Sequence, residues 1–430
     1  MTLLEIRQHI TIIALGSRGD VLPYTALGSA LHQAGHRVRV ATFENFQDLV
    51  VEQGLDFHPI RGDAQAILSS LSGQDMAAAG KNVLHTARAV LRAFGPAARD
   101  YTTDLAEIAR LQTKAIINQL PGGLFGYDLA EKLGVPHILV SVIPLAHTRE
   151  RPMLAFPKAL APVPGYNALT YRLAEQIVWQ AFRPTVNRWR HAALGLPNTA
   201  FWGYFNEMEI TKTPILNGFS EHIVPRPADW GEHIHLTGYW FPDEPGWQPP
   251  RALVQFIEAG PPPVYLSFGS IPVGNFPETF HTIMAGLKAS GQRVVLGRGW
   301  SGMEEFTLPD QIFPIDYAPY GWLLPRMAGI VHHGGSGTTA FGLRAGIPGL
   351  VVPFLFDQFY WGERLAQLGV GPNPLPFKTL TAEKLAQGIE RLVTDRNMRQ
   401  RATVLGEKIR AENGLQKAVK IIARIVGGLG

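Results

Sequence analysis

Ile10–Leu15 is a nearly continuous apolar run closed by Gly16, the pattern of a strand covered on both faces. Pro23 sits where a first helical turn accepts it, Leu27, Leu31 and Ala34 recur at helical spacing, and Gly35 stops the helix. His36–Thr42 reads as the next strand, and strand, helix, strand in this order predicts a right-handed parallel unit. Further strands are expected at Ala115–Asn118 and His137–Val142, with a helix over Leu124–Leu133 between them.

The pattern changes from about residue 150 to 210. Phe156, Tyr166, Tyr171, Trp179, Phe182, Trp189, Phe201, Trp202 and Tyr204 crowd this stretch, with Met153, Pro157 and Pro162. Core packing explains any one of these aromatics, whereas the group as a whole suits a groove for a flat apolar alcohol. Residues 239–263 are dense in proline and glycine and read as a linker. The alternation then restarts. Strands are predicted at Val264–Phe268, Arg293–Leu296, Gly329–Val331 and Gly349–Val352. Helices are predicted at Glu278–Ala289, Gly337–Ala345, Tyr360–Leu368, Ala382–Val393, Met398–Glu412 and Leu415–Ile425. The economical architecture is α/β: two doubly wound, Rossmann-like domains facing a cleft. Residues 1–238 form the N-terminal domain, 239–263 the linker and 264–430 the C-terminal domain, whose last helix is free to pack back on the first.

A length of 430 residues agrees with two domains, and a net charge of +4 without a lysine-arginine run argues against nucleic acid as a main partner. Loose attraction to an anionic membrane surface stays open. The absence of cysteine excludes disulfides, thiolate metal sites and cysteine catalysis. The start, MTLLEIRQHITIIALGSRGD, lacks a signal-peptide pattern, and no apolar stretch reaches membrane-spanning length. A soluble, cytoplasmic protein is the expectation.

Chemistry gathers at His332-His333-Gly334-Gly335-Ser336-Gly337-Thr338-Thr339, between a predicted buried strand and a predicted helix. A glycine-rich strand-to-helix turn points free N–H groups and a positive dipole end outward, which suits a phosphate. Asp357-Gln358, one strand later, can reach sugar hydroxyls. Together they read as a nucleotide-sugar site. The bland alternatives are a tight turn needing positive φ at its glycines and helix capping by Asp357. His332 falls on the opposite side of the strand and is assigned to structure. Ser270, after the glycine of Ser267-Phe268-Gly269-Ser270, is a second phosphate-facing candidate, with capping as its alternative. No Asp-x-Asp motif occurs, which argues against a metal-dependent sugar-diphosphate site.

Three blocks in order, Gly16–Tyr24, Ser267–Ser270 and His332 through Gln358, resemble the nucleotide-sugar-dependent glycosyltransferases of the two-domain B-type fold. The similarity is greatest to the branch holding sterol glucosyltransferases and antibiotic glycosyltransferases. The resemblance implies an inverting transfer of a hexose, glucose first, from a UDP-sugar such as UDP-glucose to a hydroxyl of a lipophilic acceptor: a sterol, terpenoid or polyketide. It implies a donor site in the second domain, an acceptor site in the first, and no cofactor or essential metal. It gives His333 to the donor diphosphate, with Gly335, Ser336, Gly337 and Thr338, and gives Asp357 and Gln358 to the transferred sugar.

Tyr317-Ala318-Pro319-Tyr320 falls where the plant branch has Trp-Ala-Pro-Gln, so Tyr317 and Ala318 are the nucleobase candidates, with Trp322 close by. Many relatives place a catalytic histidine in the first strand-to-helix turn. Here, as in the sterol and antibiotic branch, Asp20 stands as the proposed base. Its other reading is as cap of the helix entered at Pro23. Arg18 either meets phosphate or pairs with Asp20. Asn118 and Gln119 fall where some relatives keep a carboxylate partner for the histidine, and neither is an acid. The rivals are a nucleotide-sugar epimerase, a cell-wall amino-sugar transferase of the same build, and a non-catalytic nucleotide-sugar-binding protein.

Overall fold

The computed structural model of the chain describes residues 8–63, 98–119, 124–154, 156–242, 244, 246–269, 276–298 and 308–428. These residues form two compact units, one of residues 8–242 with 413–428 and one of 244–412.

The first unit is built on β1 (His9–Ile13), β2 (Arg37–Phe43), β3 (Asp56–Ile60), β4 (Ala115–Gln119), β5 (His137–Ser141), β6 (Ile215–Asn217) and β7 (Ile234–Leu236). They make one parallel sheet in the order β3-β2-β1-β4-β5-β6-β7. Successive residues serve opposite faces. Ile13, Ile116 and Leu139 join the core on one side, while Ile12, Ile117 and Val140 join the core on the other. Both faces are covered, which is why these strands read as apolar runs rather than alternations. α2 (Ala98–Ile108), α3 (Leu124–Leu133), α4 (Tyr166–Trp189) and α5 (Gly203–Thr211) feed the first of these cores. α1 (Arg18–Gln33) and the final helix, α12 (Gly414–Gly427), feed the second through Leu27, Leu31, Ala418, Ile422 and Val426.

The second unit repeats the plan. β8 (Val264–Ser267), β9 (Val294–Gly297), β10 (Ile312–Ile315), β11 (Gly329–His332) and β12 (Gly349–Val351) form a parallel sheet in the order β10-β9-β8-β11-β12. Its helices are α6 (Arg251–Glu258), α7 (Phe276–Ser290), α8 (Ser336–Ala345), α9 (Asp357–Gln367), α10 (Ala382–Thr394) and α11 (Arg396–Ala411). Phe280, Ile283 and Leu287 of α7 pack with Leu385, Ile389 and Leu392 of α10 over Leu266, Leu296, Val331 and Leu350.

Several expectations are corrected. The first helix starts at Arg18, five residues before Pro23, because a capping box between Ser17 and Asp20 nucleates it. Pro23 lies inside the helix and withholds an N–H from the Gly19 carbonyl. The last helix, which the sequence left free to pack on the first domain, belongs by its contacts to the first unit, so the second unit ends at Glu412. Residues 239–263 are not a bare linker: Tyr239 and Trp240 are buried in the first unit, and α6 lies within the range. Four strands had no clear pattern. β3, β7 and β10 are edge strands, and two of them carry proline (Pro59 and Pro314), which an edge tolerates. β6 spans only three residues.

Candidate functional site

In each sheet the strand order reverses beside the first strand, and in open parallel sheets ligands bind beyond the carboxyl ends of the strands at that point. In the second unit the reversal lies between β8 and β11, whose last residues, Ser267 and His332, are register partners. The chain leaving β11 is the glycine turn. Gly334 has φ +94°, and a Cβ there would come within 2.6 Å of Val351 Cγ1 and 2.9 Å of the Gln358 carbonyl oxygen. Positive φ is thus needed at Gly334. Gly335 has φ −59° as the residue before α8, and no positive φ is found at Gly337, which corrects the expectation for those two glycines. Gly335 is bare for another reason: a Cβ would come within 2.5 Å of His333 Nε2.

The first intrahelical bond of α8 runs from Thr339 N to the Gly335 carbonyl. The N–H groups of Ser336, Gly337 and Thr338 therefore have no helical acceptor and project from the positive end of the helix dipole. His333 stands beside them, partly buried, its Nδ1 enclosed and without a hydrogen-bond partner. Burial lowers its pKa to about 4, so the ring is neutral near pH 7 and acts as a hydrogen-bonding group rather than a cation. His332 is 1% exposed and accepts the Gly334 N–H at Nδ1 (3.1 Å), as its structural assignment expects.

α9 begins at Asp357 itself. Asp357 is no cap: its Oδ2 accepts the Trp361 indole N–H at 3.0 Å. Gln358 is buried, and its Oε1 accepts the N–H groups of Phe354 (2.8 Å) and Leu355 (3.1 Å). The amide that was expected to both donate and accept toward a sugar has spent its acceptor on its own loop, and its –NH2 remains. Phe356, between them, is held at φ 47° and ψ −119°, a strained conformation costing roughly 1–3 kcal/mol. Ala318 is buried, while Tyr317 is exposed and hydrogen-bonds Glu244. Trp322 packs on Trp247 at 5.2 Å under the Arg326 guanidinium, which occupies it within the protein. Ser270 lies outside the described residues.

In the first unit the reversal lies between β1 and β4. Asp20 sits in the first turn of α1, and its Oδ2 accepts both the Ser17 N–H and the Ser17 hydroxyl at 2.8 Å. It supports the helix start as the third helical residue, not as the cap before Pro23. Crowding by the protein raises its pKa, and the two Ser17 hydrogen bonds oppose the rise. Water still reaches Asp20, which limits the desolvation. Gly16, at φ +149°, makes the room: a Cβ there would fall 2.6 Å from Asp20 Oδ2. Gln119 was singled out only as a non-acid. It closes the turn by donating its side-chain amide to the Leu15 carbonyl across the strand reversal, and its Oε1 is buried without a partner. Asn118 is fully buried and accepts from His137, whose pKa burial lowers to about 3. Arg18 is exposed at the first helical position.

Four of the nine aromatics singled out in this segment are core. Tyr171, Trp179, Trp189 and Tyr204 are buried, with Trp179 Nε1 and Trp189 Nε1 bonded to the carbonyls of Phe201 and Thr102. What stays open is an apolar stripe. Leu169 and Leu173 lie one turn apart on α4, and on the same face Gln176 and Gln180 hold the carbonyls of the exposed Trp202 and Phe201.

Among the described residues no group of three or more His, Asp or Glu side chains could hold a metal ion, and no helix is long and apolar enough to cross a membrane. Residues 10–149 match the glycosyltransferase family 28 N-terminal domain, and residues 288–425 the erythromycin biosynthesis protein CIII-like C-terminal domain. A sterol 3-beta-glucosyltransferase of Arabidopsis thaliana is 34% identical over 97% of the chain, which spans 68% of that protein. That of Cryptococcus neoformans is 35% identical over 96% of the chain, which spans only 27% of its length. Among solved structures, the calicheamicin glycosyltransferase covers 98% of the chain and 99% of its own, with TM-score 0.67 and 18% identity. A Streptomyces glycosyltransferase complexed with thymidine diphosphate covers 97% of the chain and 100% of its own, with TM-score 0.63 and 19% identity. These two share the fold, two parallel-sheet α/β domains of the glycosyltransferase B type. By its identity to the plant protein and its two domain matches, the chain belongs to the glycosyltransferase family that includes the sterol 3-beta-glucosyltransferases.

Proposed function

We propose that the chain is an inverting, metal-independent hexosyltransferase that moves glucose from UDP-glucose to a hydroxyl of a flat lipophilic alcohol such as a sterol. The observation that carries this reading is the neutral His333 ring, with Nδ1 enclosed and unpartnered beside the open N-terminus of α8. A diphosphate supplies the partner the ring lacks. The free N–H groups of Ser336, Gly337 and Thr338 meet the charge that grows on it as it leaves, so no divalent ion is called for. The thymidine diphosphate in the Streptomyces neighbour supports a nucleoside diphosphate, and the names of the plant and fungal relatives support a sterol acceptor and glucose.

In the reaction a bond forms between the acceptor oxygen and the anomeric carbon. The anomeric C–O bond to the β-phosphate breaks, and the diphosphate departs with the bonding electrons. The acceptor proton passes to Asp20, whose raised pKa makes it a stronger base than an ordinary aspartate. A single in-line displacement inverts the anomeric centre. Asp357 and the –NH2 of Gln358 are assigned to sugar hydroxyls, Ser270 to phosphate, and Tyr317 with Ala318 to the base. The open stripe of Leu169, Leu173, Phe201 and Trp202 offers apolar surface to the acceptor.

The test is incubation with UDP-glucose and a panel of sterols, terpenoids and polyketides, reading glucoside by mass spectrometry with and without EDTA. Glucoside formation unaffected by chelation is expected. If UDP binds but no acceptor in the panel is glycosylated, the transferase reading fails.

A further inference from the structure

In the first unit the turn between β1 and α1 runs past the sheet that carries it. β1 ends at Ile13, and the Ala14 N–H still reaches the Ala41 carbonyl of β2 at 3.0 Å. Leu15 and Gly16 lie beyond the strand. The group that meets the Leu15 carbonyl is a side chain, the amide of Gln119, which donates to it from the last residue of β4. On the other side of Gly16, Asp20 Oδ2 accepts the Ser17 N–H and the Ser17 hydroxyl, both at 2.8 Å. Gly16, with φ +149°, is thus held between two side chains, one bonded to each of its neighbours.

The two ties do different work. The Asp20–Ser17 bonds join residues three apart, so they fix the carboxylate relative to its own turn and not to the sheet. The Gln119 bond joins residues 104 apart and anchors that turn to a strand inside the sheet. Gln119 is firmly placed to do so. It is 7% exposed, it is the register partner of Val140 on β5, and its carbonyl accepts the Asn118 side-chain amide at 3.3 Å. Its Oε1 is buried without a partner. A buried amide oxygen left unpaired is destabilising, so an apolar side chain would serve the packing alone better. What an apolar side chain lacks is the bond to Leu15.

We propose that Gln119 is a positioning residue for the transfer: by holding the Leu15 carbonyl it fixes Gly16, and through Gly16 and Ser17 it sets where the Asp20 carboxylate stands. This rests on the assignment of Asp20 as base given above. Gln119 acts through the backbone of the turn and is assigned no contact with substrate.

The experiment compares Gln119→Met, which keeps the length without an N–H, with Gln119→Glu, which sets an acceptor-only carboxylate against the Leu15 carbonyl. Each is made alone and together with Asp20→Asn. Hydrogen exchange over residues 14–21, UDP binding by calorimetry, kcat and acceptor KM are measured. Both single variants are expected to exchange faster in that segment and to lose about 10–10²-fold in kcat, the scale of a misplacement of about 1 Å, with acceptor KM unmoved. UDP affinity should hold, because the residues assigned to the diphosphate all belong to the second unit. On the Asp20→Asn background kcat should fall no further, since groups that act as one unit are not additive. Faster exchange with unchanged kcat overturns the proposal, as does unchanged exchange, which would mean that the bond ties nothing. A full further loss on the Asp20→Asn background overturns it too, because Gln119 would then act independently of Asp20. If Gln119→Met does not fold, Gln119→Glu decides by the same measurements. If Asp20→Asn is as active as the unsubstituted protein, the reading of Asp20 as base has failed, whatever the exchange shows.

Discussion

Asp20 Oδ2 carries the Ser17 hydrogen bonds, so replacing the carboxylate with a carboxamide keeps an acceptor for the Ser17 N–H while removing the basic group. Asp20→Asn is expected to lower transfer by about 10²–10⁴-fold, the range for a lost general base, with UDP affinity unchanged. His333→Ala removes the unpartnered ring at α8 and should weaken UDP binding and turnover together. Calorimetry beside product formation separates the two, and full activity in Asp20→Asn would reduce Asp20 to a helix-start residue. A second prediction concerns stability. Burial holds His332 and His137 near 3 and His333 near 4, below their ordinary 6.5. Between those values the unfolded chain binds protons that the folded chain refuses, so stability falls as pH drops from 6.5 toward 4. The melting temperature should be clearly lower at pH 5 than at pH 7; a flat profile would contradict the burial of these rings. At this scale the sequence named Asp20, His333 and Asp357 by residue type and order. It marked Gln119 only as a non-acid and gave no hint of its bond, because nothing in a strand-end glutamine says that it will reach back to the Leu15 carbonyl.

The glycine turn before α8 divides its labour among residues that look alike in sequence. Gly334→Ala forces a side chain into Val351 at positive φ and should destabilise the fold by more than about 1–3 kcal/mol, the cost of overpacking alone. A Cβ at Gly337 meets nothing within 4 Å, and glycine to alanine in a helix gains up to about 1 kcal/mol. Gly337→Ala is therefore expected to leave melting temperature unchanged or raised while weakening UDP binding, because on the proposed donor reading the new methyl stands in the path of the diphosphate. Thermal melts and calorimetry on the same sample check this, and undiminished UDP binding would move the phosphate away from α8. Periodicity placed most helices to within a few residues, α3 at both ends. The start of α9 was displaced because the strained Phe356 and the Gln358 loop bonds set it, and neither belongs to a helical repeat.

Across the whole chain, α12 is distant in sequence from the core it completes. Ile422 is fully buried in the first unit beside Leu27 and Ile10, and a Cβ on Gly414 would collide with the Tyr239 carbonyl oxygen. Ile422→Ala should cost about 2–5 kcal/mol and lower the melting temperature. If the loss is absent, α12 does not hold that core together. The sequence by itself determined the fold class, the two sheets and the ordered motifs at their strand ends, because apolar runs and glycine turns are local signals of doubly covered parallel strands. Only the tertiary structure decided which core claims α12, which aromatics between 150 and 210 are interior, and which side-chain groups keep a free hydrogen-bonding end. Those answers depend on contacts between residues far apart in the chain, and no spacing along it encodes them.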